Sequence, residues 1–286
     1  MQNNNSIILS VVIPAYNEAR RLRLSLPQVA GFLAARPESA EVIVVDDGST
    51  DATAELVQNM SADLPGLRLL RHPANGGKGS AVRTGILSAR GEYVLFTDAD
   101  LSSPISELDR LLEPLRTGYD LVIGSRALQP EWITVHQSPF REASGRLFNF
   151  FARRIARMDF RDTQCGFKLF RREAARVLFA HQRIPGFGFD VELLYLARKF
   201  GYRALEVPVH WAHSDMTKVH PLRDGARMFV DLLAIRVYDW IGNYSRPLLA
   251  SHGVVLQAPA QVHSCCSASR FPPPPSGPGI IPDHNA

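Results

Sequence analysis

Five short apolar runs, four of them finishing in polar, charge-bearing tips and alternating with stretches of helical periodicity, constrain this chain more than any other feature. The first run spans Ile7 to Ile13, with Pro14 expected to stop it, and it delivers Tyr16, Asn17 and Glu18 at its end. A helical stretch follows to about Arg36, in which Pro27 is expected to open a new helix or kink the old one. Glu41 to Val45 forms the second run, followed by Asp46, Asp47 and a helix from about Asp51 to Met60. Leu67 to Leu70 is a shorter third, and after it a helix runs to about Arg90 with Gly91 as its C′ residue. Tyr93 to Phe96 is the fourth, and its helix places Leu108, Leu111, Leu112 and Leu115 on one buried face. The fifth, Leu121 to Ile123, ends in Gly124, Ser125 and Arg126. Continuous apolar runs rich in β-branched residues suit strands covered on both faces, and their alternation with helices predicts an α/β fold with a mainly parallel sheet. Crossovers in such a sheet are right-handed, and ligands bind beyond the carboxyl ends of the strands, where these polar tips lie.

The fourth tip, TDADLSS, carries the sharpest chemistry. If the backbone stays extended, Asp98 and Asp100 project to the same side with Cα atoms roughly 7 Å apart. Two such carboxylates repel unless a proton or cation intervenes, and a Mg²⁺ or Mn²⁺ shared with phosphate oxygens would relieve that repulsion. A plain Asx turn, with Ser103 as N-cap and Pro104 at the first helical position, accounts for the end of the stretch but leaves Asp98 unexplained. The loop Gly76-Gly77-Lys78-Gly79 lacks the spacing of a Walker A loop and of a dinucleotide fingerprint. What remains is a cationic, flexible loop opening a helix, suited to a pyrophosphate, or else a surface glycine loop. Asp46 and Asp47 serve either as acids at a helix N-terminus or as acceptors for a nucleotide's base or ribose.

Composition narrows the setting. A formal charge of +4 over 286 residues points to anionic ligands or an acidic membrane surface rather than to a nucleic-acid partner. Cys165, Cys265 and Cys266 make no disulfide framework, so a reducing, cytoplasmic setting is expected. No export signal is read at the N-terminus, and nowhere do 18 apolar residues run uninterrupted, so no transmembrane helix is expected. Residues 1–245 are expected to form one catalytic domain, and 246–286, with its PPPP run, a disordered tail.

In that order, VVIPAYNE, VVDDGSTD, NGGKGSAVRTG and the DAD of FTDADLS resemble the nucleotide-sugar-binding half of the family-2 glycosyltransferases, which have the GT-A fold. The resemblance implies a nucleotide site lined by Pro14, Tyr16, Glu18, Asp46, Asp47, Lys78, Asp98 and Ala99. It also implies a Mg²⁺ or Mn²⁺ on the diphosphate, held by Asp100 with Asp98. Further on, GSR at Gly124, DTQCGFKLF from Asp162, GFGFDVELLYLA from Gly186 and VPVHW at Val207 resemble the dolichyl-phosphate glucosyltransferases more than the related mannose synthases. That likeness implies inverting transfer of glucose from UDP-glucose to a polyprenyl phosphate. Gln164 would lie by the diphosphate or sugar, and Asp190 or Asp98 would stabilise charge on the sugar. Arg126, with Arg141 or Lys218, would hold the acceptor phosphate. The rivals are a GDP-mannose-dependent mannosyltransferase, a hydrolase built on Asp98 and Asp100, and a non-catalytic membrane-surface module.

A lipid-linked acceptor directs attention to Arg141–Met158. On a helical wheel Leu147, Phe148, Phe151, Ile155 and Met158 share one stripe and Arg146, Arg153 and Arg157 another. This is the pattern of a helix lying in an anionic lipid interface, and equally of an amphipathic helix packed on the domain. The stretch from Leu222 to Trp240 is similar and either flanks the first or completes the core. Peripheral attachment to the cytoplasmic face of a membrane is the expectation.

Overall fold

The computed structural model describes residues 7–135, 139–156, 159–212 and 221–245. Its centre is a seven-stranded sheet in the order β3-β2-β1-β4-β7-β5-β8. The strands are β1 (Leu9–Ala15), β2 (Ala40–Asp46), β3 (Leu67–Arg71), β4 (Tyr93–Thr97), β5 (Leu121–Ser125), β7 (Phe167–Arg171) and β8 (Ala204–Pro208). Strands β6 (Ile133–Val135) and β9 (Trp211–Ala212) pair in a separate two-stranded ribbon. The expected α/β sheet is therefore present, and it is parallel except at β7, which runs antiparallel to both β4 and β5.

Period-two alternation divides the sheet's side chains between two cores. Val12, Ile43, Val45, Val94, Phe96 and Ile123 point to one face, where they meet α3 (Lys78–Ser88), α6 (Arg172–His181) and α7 (Phe189–Phe200). Val11, Ile13, Val42, Val44, Leu95 and Val122 point to the other, against α1 (Ala19–Ala34) and α4 (Leu108–Arg116). The stripe Leu108, Leu111, Leu112 and Leu115 on α4 is buried as its spacing predicts. Helix α2 (Thr53–Met60) lies beside α1, and α5 (Pro139–Ala156) packs against α8 (Pro221–Trp240).

Several local expectations are corrected. Strand β1 continues through Pro14 to Ala15, because its pairing with β4 ends at Val12 and the missing amide of Pro14 breaks no ladder on that side. Pro27 opens no new helix, since α1 runs through it as one element. Helix α3 ends at Ser88, and Gly91 is not its C′ residue. A Cβ at Gly91 would lie 2.5 Å from the backbone N of Ser10, so glycine is required there for close approach to β1. Pro104 precedes a short 3₁₀ turn, Ile105–Glu107, instead of opening α4. Residues 246–286 lie outside the described residues.

Candidate active site

Loops at the carboxyl ends of β1, β2 and β4 meet at one corner of the sheet. Asn17, held at φ 55°, accepts hydrogen bonds through Oδ1 from the backbone N–H of Thr50 (2.8 Å) and Asp51 (3.2 Å). Its own N–H donates to Ser49 Oγ at 2.8 Å, so the β1–α1 and β2–α2 corners are fastened together. Pro14 is buried in β1, Tyr16 stands 39% exposed at its tip, and Glu18 pairs with Arg21 at 2.9 Å. Asp46 is fully buried, accepting from Ser49 N at 3.0 Å and lying 3.3 Å from Arg71 Nε.

Asp47 anchors the neighbouring loop. Its Oδ1 accepts from Gly76 N at 2.9 Å and faces His72 Nδ1 at 2.7 Å, while Oδ2 accepts from Gly77 N at 2.8 Å. His72 Nε2 in turn lies 2.9 Å from Thr84 Oγ1 on α3. This network sets the path of the loop that starts α3 and presents Lys78. Gly77 is held at φ 98°, and a Cβ there would sit 2.5 Å from Pro185 O, so no other residue fits without strain.

Lys78 Nζ lies 2.6 Å from Asp98 Oδ1. Burial alone would pull the ammonium's pKa down, but Asp98, Asp190 and Asp100 outweigh it and hold the group above the usual lysine value. Asp98 lies beyond the end of β4, its N–H donating to Gly166 O at 3.2 Å on the segment entering β7. The backbone then curls instead of staying extended: Leu101 N donates to Asp98 O at 3.2 Å, and Leu101 has φ 49°. Ala99 is buried in this turn. Asp100 Oδ1 accepts from Ser102 N at 3.0 Å, and Oδ2 is 3.8 Å from Arg21 Nη2.

Among the described residues no cluster of three or more His, Cys, Asp or Glu side chains is arranged to hold a metal. Two carboxylates are too few for an all-protein cage, but they fit an ion that takes its remaining ligands from phosphate oxygens and water. Asp100 and Asp98 supply hard oxygen donors suited to Mg²⁺ or Mn²⁺.

The second half of the chain supplies the opposite wall. Arg126 grips Asp162 through Nε (2.7 Å), Nη2 (2.8 Å) and its own backbone N–H (3.0 Å), with its guanidinium over the Trp211 ring at 5.3 Å. Burial would raise Asp162, yet Arg126 holds its carboxyl below the usual range. Gln164 N lies 3.3 Å from Asp162 Oδ1, and its Nε2 is 3.9 Å from Met228 Sδ on α8. Asp190, on the first turn of α7, is buried and paired with the fully buried Lys168 of β7 at 2.5 Å. Burial lifts the Asp190 carboxyl above the ordinary range, with Lys168 and Lys78 opposing. Arg141 lies on α5, where the backbone alone is described, and Lys218 lies outside the described residues.

The structure thus brings Lys78, Asp98 and Asp190 into one electrostatic group, with Asp100 at its edge, while Asp46 faces inward. Sequence reasoning gave no role to His72, Asp162 or Lys168. Lys168 had a legible signal, since a lysine in the middle of the apolar run FKLF calls for a buried anion.

A mainly parallel sheet with one reversed strand, carrying paired acids and a lysine beyond its carboxyl edge, is the architecture of a GT-A glycosyltransferase. Residues 10–179 match the family model for Glycosyl transferase family 2, and the chain belongs to that family. The fold is shared with glucosyl-3-phosphoglycerate synthase from Mycobacterium tuberculosis, solved in complex with Mn²⁺ and UDP-glucose. The likeness to that structure has a TM-score of 0.59 at 21% identity over 80% of this chain and 78% of that one. Within the family the chain belongs with the dolichyl-phosphate beta-glucosyltransferases. It is 37% identical to that of Dictyostelium discoideum, over 85% of this chain and 79% of the relative. To that of Homo sapiens it is 36% identical, over 80% and 75%.

Proposed function

We propose that the protein transfers glucose from UDP-glucose to a dolichyl-type polyprenyl phosphate, inverting the anomeric carbon, while bound peripherally to the cytoplasmic face of a membrane. The observation that carries this reading is the Lys78–Asp98 pair beside Asp100, in a chain 34–38% identical to eight dolichyl-phosphate beta-glucosyltransferases.

The acceptor is itself a phosphate, and a phosphomonoester is largely dianionic at neutral pH because its second pKa is about 6. No strong base is required. An acceptor oxygen attacks the anomeric carbon from the face opposite UDP, and the bond to the departing phosphate breaks with its electron pair leaving on UDP. Lys78 donates to the diphosphate as charge builds there, released from Asp98 by the incoming anion. Asp100 and Asp98 would hold a Mg²⁺ or Mn²⁺, which when bound would supply further neutralisation of the leaving diphosphate. Asp190 faces the positive charge that develops on the sugar ring. Asp47 keeps the Gly76–Gly77 turn in the shape that aims Lys78. Arg126, Arg141 and Lys218 are the cations assigned to the acceptor phosphate, and Arg126 is fixed for that duty by Asp162.

An apolar stripe supports the membrane reading. Val230, Leu233, Val237 and Trp240 are spaced to share one side of α8, Ile241 follows directly after its end, and all five are more than half exposed. Phe150 and Phe151 of α5 are exposed as well, and Phe151 meets Phe229 at 5.5 Å between centroids. Exposed Arg153, Arg154, Arg227 and Arg236 accompany them, a combination that suits an anionic lipid surface. Phe148 and Ala152 on α5 are buried, so that helix is also packed on the domain. No helix among the described residues is long and apolar enough to cross a membrane.

The test is a panel of nucleotide sugars with one short polyprenyl phosphate, the product's anomeric configuration being read by NMR. The expected result is a β-glucosyl phosphate from UDP-glucose. Transfer from GDP-mannose alone, or from no donor, would overturn the proposal.

A further inference from the structure

We infer that Lys168 is a positioning residue for the reaction, holding Asp190 as an oriented, ionised carboxylate in the donor-bound enzyme. The inference rests on the role proposed above for Asp190 and assigns it a dedicated counter-ion.

Lys168 lies in β7, the reversed strand between β4 and β5, with its side chain fully buried. Its Nζ donates to Cys165 O at 2.6 Å and to Asp190 Oδ1 at 2.5 Å. Among the described residues, the charged groups acting on Asp190 are Lys168 from β7, Lys78 from α3 and Asp98 from the loop after β4. The two lysines differ in what binding does to them. Lys78 already shares its charge with Asp98 and is the cation on the diphosphate loop, so a bound donor draws it away from Asp190. Lys168 has no exposed surface and bonds only inward, to Cys165 O and Asp190 Oδ1, so it stays on Asp190 when a donor binds. A carboxylate that is only 4% exposed and loses its share of Lys78 would take up a proton unless this second cation remained. Protonated, Asp190 would offer no negative charge to the sugar. The short contact also fixes the direction of the carboxylate, since Oδ1 is committed to Lys168 and Oδ2 is thereby oriented.

A purely structural ion pair predicts a different response, because replacing a buried pair often changes stability without changing titration. The experiment measures both. In Lys168→Met, the acidic limb of kcat at saturating UDP-glucose should rise by about one pH unit or more, about a tenfold loss of rate on that limb. KM for UDP-glucose should stay within about twofold, since Lys168 is fully buried and presents no surface to a ligand. Lys168→Arg, which keeps the charge, should leave the limb within about 0.3 unit. Lys168→Gln, still able to donate hydrogen bonds, serves as a second neutral variant in case the methionine does not fold, with the same expected shift.

A readout independent of transfer separates this inference from the proposed function. The Asp190 carboxyl is titrated by ¹³C NMR with UDP and Mg²⁺ present, its resonance assigned by its loss in Asp190→Asn. It should titrate higher in the neutral Lys168 variants than in wild type. Wild type that transfers no glucose to polyprenyl phosphate defeats the functional reading, while the NMR titration still judges Lys168. An Asp190 titration unmoved by loss of the lysine charge, with the rate lowered equally at every pH, overturns the inference. So does a shift as large in Lys168→Arg as in Lys168→Met.

Discussion

Lys78 Nζ and Asp98 Oδ1 stand 2.6 Å apart, so the cation that opens α3 and the acid that follows β4 are paired before any donor arrives. The pair joins the first residue of α3 to the loop after β4, and in the proposed mechanism a bound diphosphate competes with Asp98 for the ammonium. Its consequence is that Asp98 fixes where the ammonium stands beyond the carboxyl edge of the sheet.

Lys78→Met should therefore lower kcat by about 10²–10³ while leaving the fold intact. Steady-state kinetics beside circular dichroism checks this. A variant that kept more than a tenth of the wild-type rate would remove Lys78 from the leaving-group role.

Asp100→Ala should abolish transfer at saturating Mg²⁺ or Mn²⁺, and chelation should silence wild type reversibly. Since the proposed site has two carboxylates, Mn²⁺ should bind weakly alone and at least about tenfold more tightly with UDP present. Titration of Mn²⁺ by electron paramagnetic resonance, with and without UDP, reads that coupling. Equal affinity in both titrations would contradict a site completed by the diphosphate.

Asp47→Ala removes the acceptor for Gly76 N and Gly77 N and the partner of His72. Each lost hydrogen bond to a charged acceptor is worth about 1.5–3 kcal/mol, so the loop should loosen and KM for UDP-glucose should rise about tenfold or more. Asp47→Asn, with one acceptor oxygen left, should fall between. An unchanged KM in Asp47→Ala would show that the loop keeps its shape without this anchor.

The Arg126–Asp162 pair bears directly on stability. Removing the arginine strands a carboxylate that is 3% exposed, and Arg126→Ala should cost about 3–5 kcal/mol in urea denaturation. Asp162 has a folded pKa below its ordinary 3.8, so its stabilising contribution is complete above that value and fades as pH falls through the folded pKa. The stability gap between wild type and Asp162→Asn should accordingly be widest near neutrality and narrow below about pH 3.8. A gap that widened on acidification would reverse the assigned sign.

Leu233→Ser with Trp240→Ser should weaken binding to anionic vesicles by about tenfold or more without changing turnover of a short, water-soluble polyprenyl phosphate. Flotation with phosphatidylserine vesicles measures the first effect and a soluble-acceptor assay the second. Undiminished flotation would place the membrane contact elsewhere.

Much of this protein is written in local pattern. The apolar runs named five strands of the sheet, since continuous β-branched stretches between helical segments have few other ways to be buried. The polar tips at Asp47, Lys78, Asp98 and Asp100 followed from the same pattern, because chain direction in a parallel sheet brings every such tip to one edge. Nothing local announced that β7 would run backwards between β4 and β5. That insertion carries Asp162, Lys168 and the Gly166 carbonyl into the site.

Partnership likewise depends on tertiary structure. Arg126 meets Asp162 and Lys168 meets Asp190 across intervals of 36 and 22 residues, and a charge has no periodicity from which its partner can be read. Desolvation decides which of those charges matter, and it exists only once the sheet has closed over them. Composition and spacing thus determined five strands of the sheet, its ligand edge and the kinds of side chain that line it. The folded chain alone decided which acid each cation holds, and so which groups remain for substrate.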